Sequence, residues 1–254
     1  VSPDVREAER ALHRRAALAC EAATDAGVAG RFRAWEQTGL LAVLATDPGL
    51  GFLSTVSGVE LETVSAAIEL VKEPLWNGVE PTVVVSPQLG ETVLLAAGLR
   101  RAENRILAVK RLEHEPASPT AGTQVIDVGA DDTFLDVLLA GYEADGVVAA
   151  FIRAEHRLPT MRRFLVLRRD VPIAAAGMTI HGDTAVLGGA STLPTQRGQG
   201  AQSRLLRHRL RIAAESGCVL AVATARPGSV SAANLRRAGF HLHRRSAWTR
   251  KPAA

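Results

Sequence analysis

Two glycines one residue apart, Gly198 and Gly200, join an apolar run to a basic helical pattern, and this junction restricts the fold of the 254-residue chain more than any other feature. Before it stands Ala185-Val186-Leu187-Gly188-Gly189-Ala190-Ser191-Thr192, which reads as a strand. After it, Leu205, Leu206, Leu210 and Ala213 recur at helical spacing over 199–215. A backbone that turns this sharply favours glycine and brings successive N–H groups together at a helix start. Such a start carries partial positive charge, and an exposed anionic contact there is worth about 0.3–1 kcal/mol. Arg197 adds a full charge, so the segment is a candidate pyrophosphate cradle, although a Gly-x-Gly pair also serves turn geometry alone. The chain has no Gly-x-x-x-x-Gly-Lys-Ser/Thr. It also lacks the third glycine and the later acidic residue of a dinucleotide-binding turn.

The residues downstream narrow the ligand. Val219-Leu220-Ala221-Val222-Ala223-Thr224 reads as a buried strand between Gly217 and Arg226-Pro227-Gly228. Ser229 or Ser231 can cap a short helix through Asn234 that ends at Gly239, and a last strand runs over 240–249. This order of elements resembles the C-terminal half of the GNAT superfamily of acyl-CoA-dependent N-acyltransferases. The resemblance spans about 162–250 and rests on Pro194, on Arg197-Gly198-Gln199-Gly200, and on Asn234 with Ala238-Gly239-Phe240.

The resemblance implies an α/β fold with a mixed, mostly antiparallel twisted sheet flanked by helices, and acetyl-CoA as co-substrate. It matches Thr192 and Leu193 to positions whose backbone pairs with the pantetheine arm. It matches Arg197, Gly198, Gln199, Gly200, Ala201 and Gln202 to the pyrophosphate loop, with Asn234 on the cofactor side. Gln202 stands where the family usually has Gly or Ala, so its side chain must turn away from the phosphates or hydrogen-bond to them. The tyrosine that protonates the leaving thiolate in many members is replaced by Leu235, and the single tyrosine, Tyr142, lies far upstream. Direct attack by a neutral amine needs proton removal, worth roughly 10²–10⁴-fold. Asp183, His181, Glu155 and His156 are the candidate bases, with Phe151, Glu155, His156 and Leu158 as candidate acceptor contacts; ordinary surface or helix roles remain open for each.

The resulting expectation is acetyl transfer to a small-molecule amine, with a protein N-acetyltransferase or a non-catalytic CoA-binding protein as alternatives. Cys20 and Cys218 match no metal spacing and no disulfide scaffold, which favours a reducing cytoplasm. No apolar run reaches 18 residues, and the start lacks a signal peptide's apolar core, so no membrane partner is expected. A segment removed upstream of Val1 stays open, as does a homodimer. Of 30 basic residues only Lys72, Lys110 and Lys251 are lysines, the bias a GC-rich genome produces, and the net charge of +4 does not require a nucleic-acid partner. The run Arg204, Arg207, His208, Arg209 and Arg211 is either a solvated helix face or an attractor for the nucleotide end of CoA.

The first half repeats this order of elements. A helix is expected over 5–24, strands over 40–44 and 51–56, a helix over 60–72, a strand over 82–85, a helix over 88–99 and a strand over 105–112. It resembles a degenerate second copy, as in tandem GNAT proteins. Its turn at 54–59 lacks the Arg-Gly-x-Gly signature, so it is not expected to bind CoA in the usual way. The proline-containing stretch 113–122 then separates a domain at 1–115 from an acyl-CoA-binding domain at 123–254.

Overall fold

A computed structural model describes residues 2–86, 89–112, 124–129 and 132–250; the expected linker at 113–122 and Gln88 lie outside them. The chain opens on helix α1 (Pro3–Asp25), where the Ser2 hydroxyl accepts the Val5 N–H and Pro3 occupies a position that needs no donor. Strands β1 (Phe32–Gln37) and β2 (Leu40–Ala45) form a hairpin around Thr38 and Gly39, at φ 49° and 81°. Positive φ at both turn residues matches the twist of paired strands. β1 is half-buried or exposed along its length, which is why no apolar pattern marks it in the sequence.

The strand expected over 51–56 is corrected. Pro48–Leu53 is a 3-10 helix started by the Asp47 carboxylate, which accepts the Gly49 N–H at 2.8 Å, and β3 (Thr55–Val59) begins after it. Leu50 is buried in that turn, so apolar character there reflects burial and not a strand. Helix α2 (Val64–Leu70) is shorter than expected because Thr63 Oγ1 accepts the Glu60 N–H and bonds Gly58 O, holding 60–63 as a turn. β4 (Thr82–Val85), α3 (Glu91–Ala96) and the long β5 (Leu99–Arg111) complete the first half.

The second half comprises β6 (Gln124–Val128), α4 (Asp132–Tyr142), α5 (Gly146–His156), β7 (Arg162–Arg168), β8 (Val171–His181) and β9 (Thr184–Thr192). It ends with α6 (Ala201–Glu215), β10 (Leu220–Ala225), α7 (Val230–Arg237) and β11 (His241–Arg250). All strands join one eleven-stranded sheet in the order β1-β2-β3-β4-β11-β5-β10-β9-β8-β7-β6. Among the described residues only β3–β4 and β9–β10 are parallel, and α2 and α6 make the respective crossovers.

The last strands of the two halves are exchanged. β11 pairs with β4 of the first half, while β5 pairs with β10 of the second, and the two lie side by side at the centre of the sheet. The cores follow the exchange. Trp248 of β11 is fully buried with Leu40, Val83, Leu94 and Leu99, whereas Ala108 of β5 belongs with Phe164, Met178 and Leu205. Among the described residues no helix is long and apolar enough to cross a membrane.

Candidate functional site

The parallel pairing of β9 with β10 covers only Thr184–Val186 against Leu220–Val222. Beyond Val186, β9 stays on β8 and parts from β10. A bulge lies at the parting: Gly188 opposes Gly177 and Ala190 opposes Ala176, leaving Gly189 as the extra residue at φ 61°. Glycine is required there for a second reason, because a Cβ on Gly189 would stand 1.9 Å from His156 Nε2. A Cβ on Gly188 would likewise meet the Arg15 guanidinium at 2.7 Å.

A cavity of about 810 Å³ fills the opening, lined by Gly188, Ala190, Thr192, Gly198, Gln202 and Asn234 among others. At its mouth Pro194–Gln196 forms a 3-10 turn, Gly198 and Gly200 take φ 78° and 80°, and α6 begins without a side-chain cap. The backbone N–H groups of Gly198 through Ser203 have no acceptor among the described residues. Six consecutive free donors at a helix start fit a pyrophosphate group.

Side chains brace this loop. Arg197 donates to Gly141 O at 2.9 Å and pairs with Glu143 at 3.2 Å, so its charge fastens the loop to the end of α4. Arg168 bonds the side chains of Gln196 and Gln199. Gln202 Nε2 donates to Thr192 Oγ1 at 2.9 Å, which tethers the helix start to the strand end and turns the larger side chain away from the free amides. Leu193 stands apart from the cavity lining: its N–H donates to Ile173 O and its carbonyl accepts from Gln196. Asn234 lines the cavity from α7, whose first turn Ser229 caps.

A second cavity, of about 650 Å³, meets the first at Tyr142, Gly189 and Thr224 and is walled by α1, α5 and the first half. Arg15 of α1 reaches across it, donating from Nε to Glu155 Oε1 at 2.8 Å and from Nη1 to Val186 O at 3.3 Å. Burial pushes the Glu155 carboxyl up, but the charge and hydrogen bond of Arg15 outweigh it and hold the group below the usual carboxylate range. His156 Nδ1 lies 2.9 Å from Ile152 O, so the proton sits on Nδ1 and Nε2 is bare, buried and unpartnered. Burial lowers its pKa, which keeps the ring neutral.

The structure brings Glu155, His156 and Phe151 to this cavity but not Asp183 or His181. His181 pairs with Thr184 at the closed end of β9 and bonds Thr179 Oγ1, and the Asp183 carbonyl accepts from Val219. Five residues of strand, about 17 Å at 3.3 Å each, separate Thr184 from the bulge. Leu158 lies outside this cavity as well, and its carbonyl accepts from Arg163. Leu235 is buried in the core, while the Tyr142 hydroxyl accepts the Ala190 N–H at 2.7 Å, directly beside the bulge. Chain distance concealed Tyr142, and the Arg15–Glu155 pairing across 140 positions left no local signal. Gly188-Gly189 did carry one, since glycine inside a strand pattern marks a bulge or a close approach.

His13, His156, His181, His208 and His243 all have pKa values lowered first by burial. Their folded values lie below the ordinary 6.5, so the unfolded chain takes up protons first as the pH falls. Their stabilisation is therefore complete above about pH 6.5 and is lost as the pH drops through the window beneath it. Calorimetry between pH 7.5 and pH 5 is expected to show a falling melting temperature. His156→Asn, which can keep a donor to Ile152 O, is expected to make that fall shallower.

Fold and site together define an α/β protein with a cleft between parted parallel strands and a run of free backbone N–H groups at its mouth. Residues 130–240 match the family model for Acetyltransferase (GNAT) family, and the chain carries a GNAT acetyltransferase domain. A GCN5-related N-acetyltransferase from Kribbella flavida aligns with a TM-score of 0.62 at 22% identity, over 94% of this chain and 96% of its own. One from Sphaerobacter thermophilus aligns at 0.61 and 11% identity, over 84% and 80%. A tandem GNAT protein from the clavulanic acid biosynthesis pathway aligns at 0.57 and 16%, over 96% and 95%. At these identities the likeness is one of fold. No curated protein matches the sequence.

Proposed function

We propose that the chain is a cytoplasmic N-acetyltransferase that moves an acetyl group from acetyl-CoA to the amine of a small molecule. The observation that carries this reading is the run of free N–H groups from Gly198 to Ser203 at the mouth of the parted strands. Gly198 through Gln202 would hold the pyrophosphate, Thr192 and Asn234 would line the path of the arm, and Arg197 would fix the loop. Acetyl-CoA supplies the activated thioester. The first half would not bind CoA this way, because β3 and β4, interrupted by a bulge between Val56 and Val59, pair again at Val59 and Val85 where β9 and β10 part.

The second cavity, of about 650 Å³ and adjoining the first, has room for a small acceptor beside the cofactor arm. Of the four candidate bases, Glu155 and His156 line that cavity; the pairing of Glu155 with Arg15 suits it to hold an ammonium group more than to remove a proton. Tyr142 is the proposed proton donor to the leaving thiolate. Its oxygen accepts from Ala190, which leaves its own hydrogen free, and the surrounding walls raise its pKa so that it stays protonated at neutral pH. We also read the chain as two GNAT-like domains, 1–115 and 123–254, that exchange their last strands, a reading supported by the near-mirrored strand order. Buried free Cys20 and Cys218 agree with a reducing compartment. The engagement of Glu155 by Arg15 favours one alternative, CoA binding without turnover.

Acetyl-CoA at about 100 times its Kd should stabilise the protein by about 2.7 kcal/mol. For a chain of this size that raises the melting temperature by about 5–10 °C. Arg197→Glu with Gly200→Val is expected to abolish the shift, measured against the variant's own ligand-free melting temperature. A full shift in the double variant would contradict the assignment of the loop.

A further inference from the structure

A buried cation at the first cavity lacks a counter-charge. Among the buried arginines, Arg15 pairs with Glu155 and Arg245 with Glu9, while Arg163 donates from all three of its nitrogens to the carbonyls of His156, Met161 and Leu158. Arg209 on α6 is 4% exposed and has no carboxylate partner among the described residues. Its Nε donates to Leu205 O at 3.3 Å and its Nη1 to Gly177 O at 3.0 Å. Nη2 has no acceptor among the described residues and is not sealed inside the protein, so it opens on the cavity that Arg209 lines.

Two neutral carbonyls do not balance a buried charge, and an unbalanced charge out of water is costly. Burial pushes the guanidinium down to about 10, with Tyr142 acting against it and Arg15 in the same direction, so it stays charged at neutral pH. The cavity therefore has a place for an anion, and that place is deep. The bond between Gln202 and Thr192 ties the start of α6 to the end of β9. From that tie, Gln202 to Arg209 along the helix is about 10 Å at 1.5 Å per residue. Thr192 back to Gly189 along the strand is also about 10 Å at 3.3 Å per residue. The contact with Gly177 O confirms the level, since Gly177 is the register partner of Gly188 at the bulge. Tyr142 reaches the same bulge from the other face of the sheet, where Leu165 and Ala175 pack with α4 while Phe164 and Ala174 pack with α6.

We propose that Arg209 is a catalytic residue whose free Nη2 stabilises the negative charge on the departing CoA sulfur. The proposal rests on the acetyl-transfer reading and adds the group that holds this charge. As the amine nitrogen bonds to the acetyl carbonyl carbon, the carbon–sulfur bond breaks and its electron pair stays on sulfur. Tyr142 gives its proton to that sulfur and is reprotonated from solvent, which takes up the proton that the nitrogen loses. One neutral amine and one acetyl-CoA thereby become one amide and one CoA thiol. Arg209 makes and breaks no covalent bond. The other groups at the bulge are Tyr142, the neutral His156, and Arg15, whose charge is matched by Glu155.

The test is the ionisation of the bound product. CoA is held by an excess of the full chain and titrated with pH, its thiolate being read by ultraviolet absorbance against the same complex with desulfo-CoA, which lacks the sulfur. The bound thiol is expected to titrate at least about one pH unit below the ordinary thiol value of about 8.5. Arg209→Gln, which loses the charge and can still donate to Gly177 O, is expected to return it to about 8.5 or above, as is Arg209→Met. Tyr142→Phe is expected to leave it depressed. A wild-type bound thiol at or above the ordinary value would overturn the inference, as would either Arg209 variant with the same depressed value as wild type. Failure of CoA and acetyl-CoA to shift the wild-type melting temperature would instead remove the reading beneath it.

Discussion

Arg15→Ala is expected to lower the melting temperature by about 6–20 °C and to abolish amine acetylation. Arg15 and Glu155 are both buried, with side chains 7% and 15% exposed, and are 2.8 Å apart. Removing the arginine strands a carboxylate that Arg15 keeps below the usual range, and breaking a buried pair from one side costs about 3–5 kcal/mol. One kcal/mol corresponds to about 2–4 °C for a chain of this size. Arg15→Met combined with Glu155→Met removes both charges and is expected to recover most of the melting temperature without recovering activity. Calorimetry checks the claim directly: a double variant no more stable than Arg15→Ala would show that the pair is not coupled. The effect matters beyond stability, because Arg15 belongs to the first helix and its guanidinium lies against Gly188 and Val186 O, where β9 leaves β10. The second half alone therefore has an incomplete site.

Trp248→Ala is the second large effect, about 3–5 kcal/mol for deleting a fully buried indole. Trp248 comes from the last strand but packs with Leu40, Val83, Leu94 and Leu99 of the first half. Hydrogen exchange in the variant should therefore accelerate first in β2, β3 and β4, about 150 or more residues away in sequence, and only then in β7 to β9. Loss of protection confined to the second half would contradict the strand exchange.

These two residues also show where sequence patterns stop informing. The strand–turn–helix around Gly198 and Gly200 is legible because apolar periodicity and glycine are local signals, and the Ser229 cap and Asn234 helix are legible for the same reason. Which strand lies next to which is not local. β5 and β11 are both central strands, and nothing in either one's own residues says that they should trade neighbours. The site divides in the same way. The glycine loop proposed to hold phosphate is contiguous and readable, whereas Arg15, Tyr142 and Glu155 come from three helices and meet only through tertiary packing. Asp183 and His181 looked eligible by their chemistry and their closeness to β9 in sequence. Strand direction puts them at its closed end.

The central claim, acetyl transfer from acetyl-CoA to a small amine at the parted strands, is tested most directly by thiol release during turnover. With acetyl-CoA and a panel of small primary amines, free CoA thiol and N-acetylated amine should form in equal amounts for at least one of them. Tyr142→Phe should retain the acetyl-CoA melting shift yet lower kcat about 100-fold, the scale of a lost proton donor. Acetyl-CoA that binds with its full melting shift but releases no thiol with any amine would contradict the account and leave a protein that holds CoA without using it.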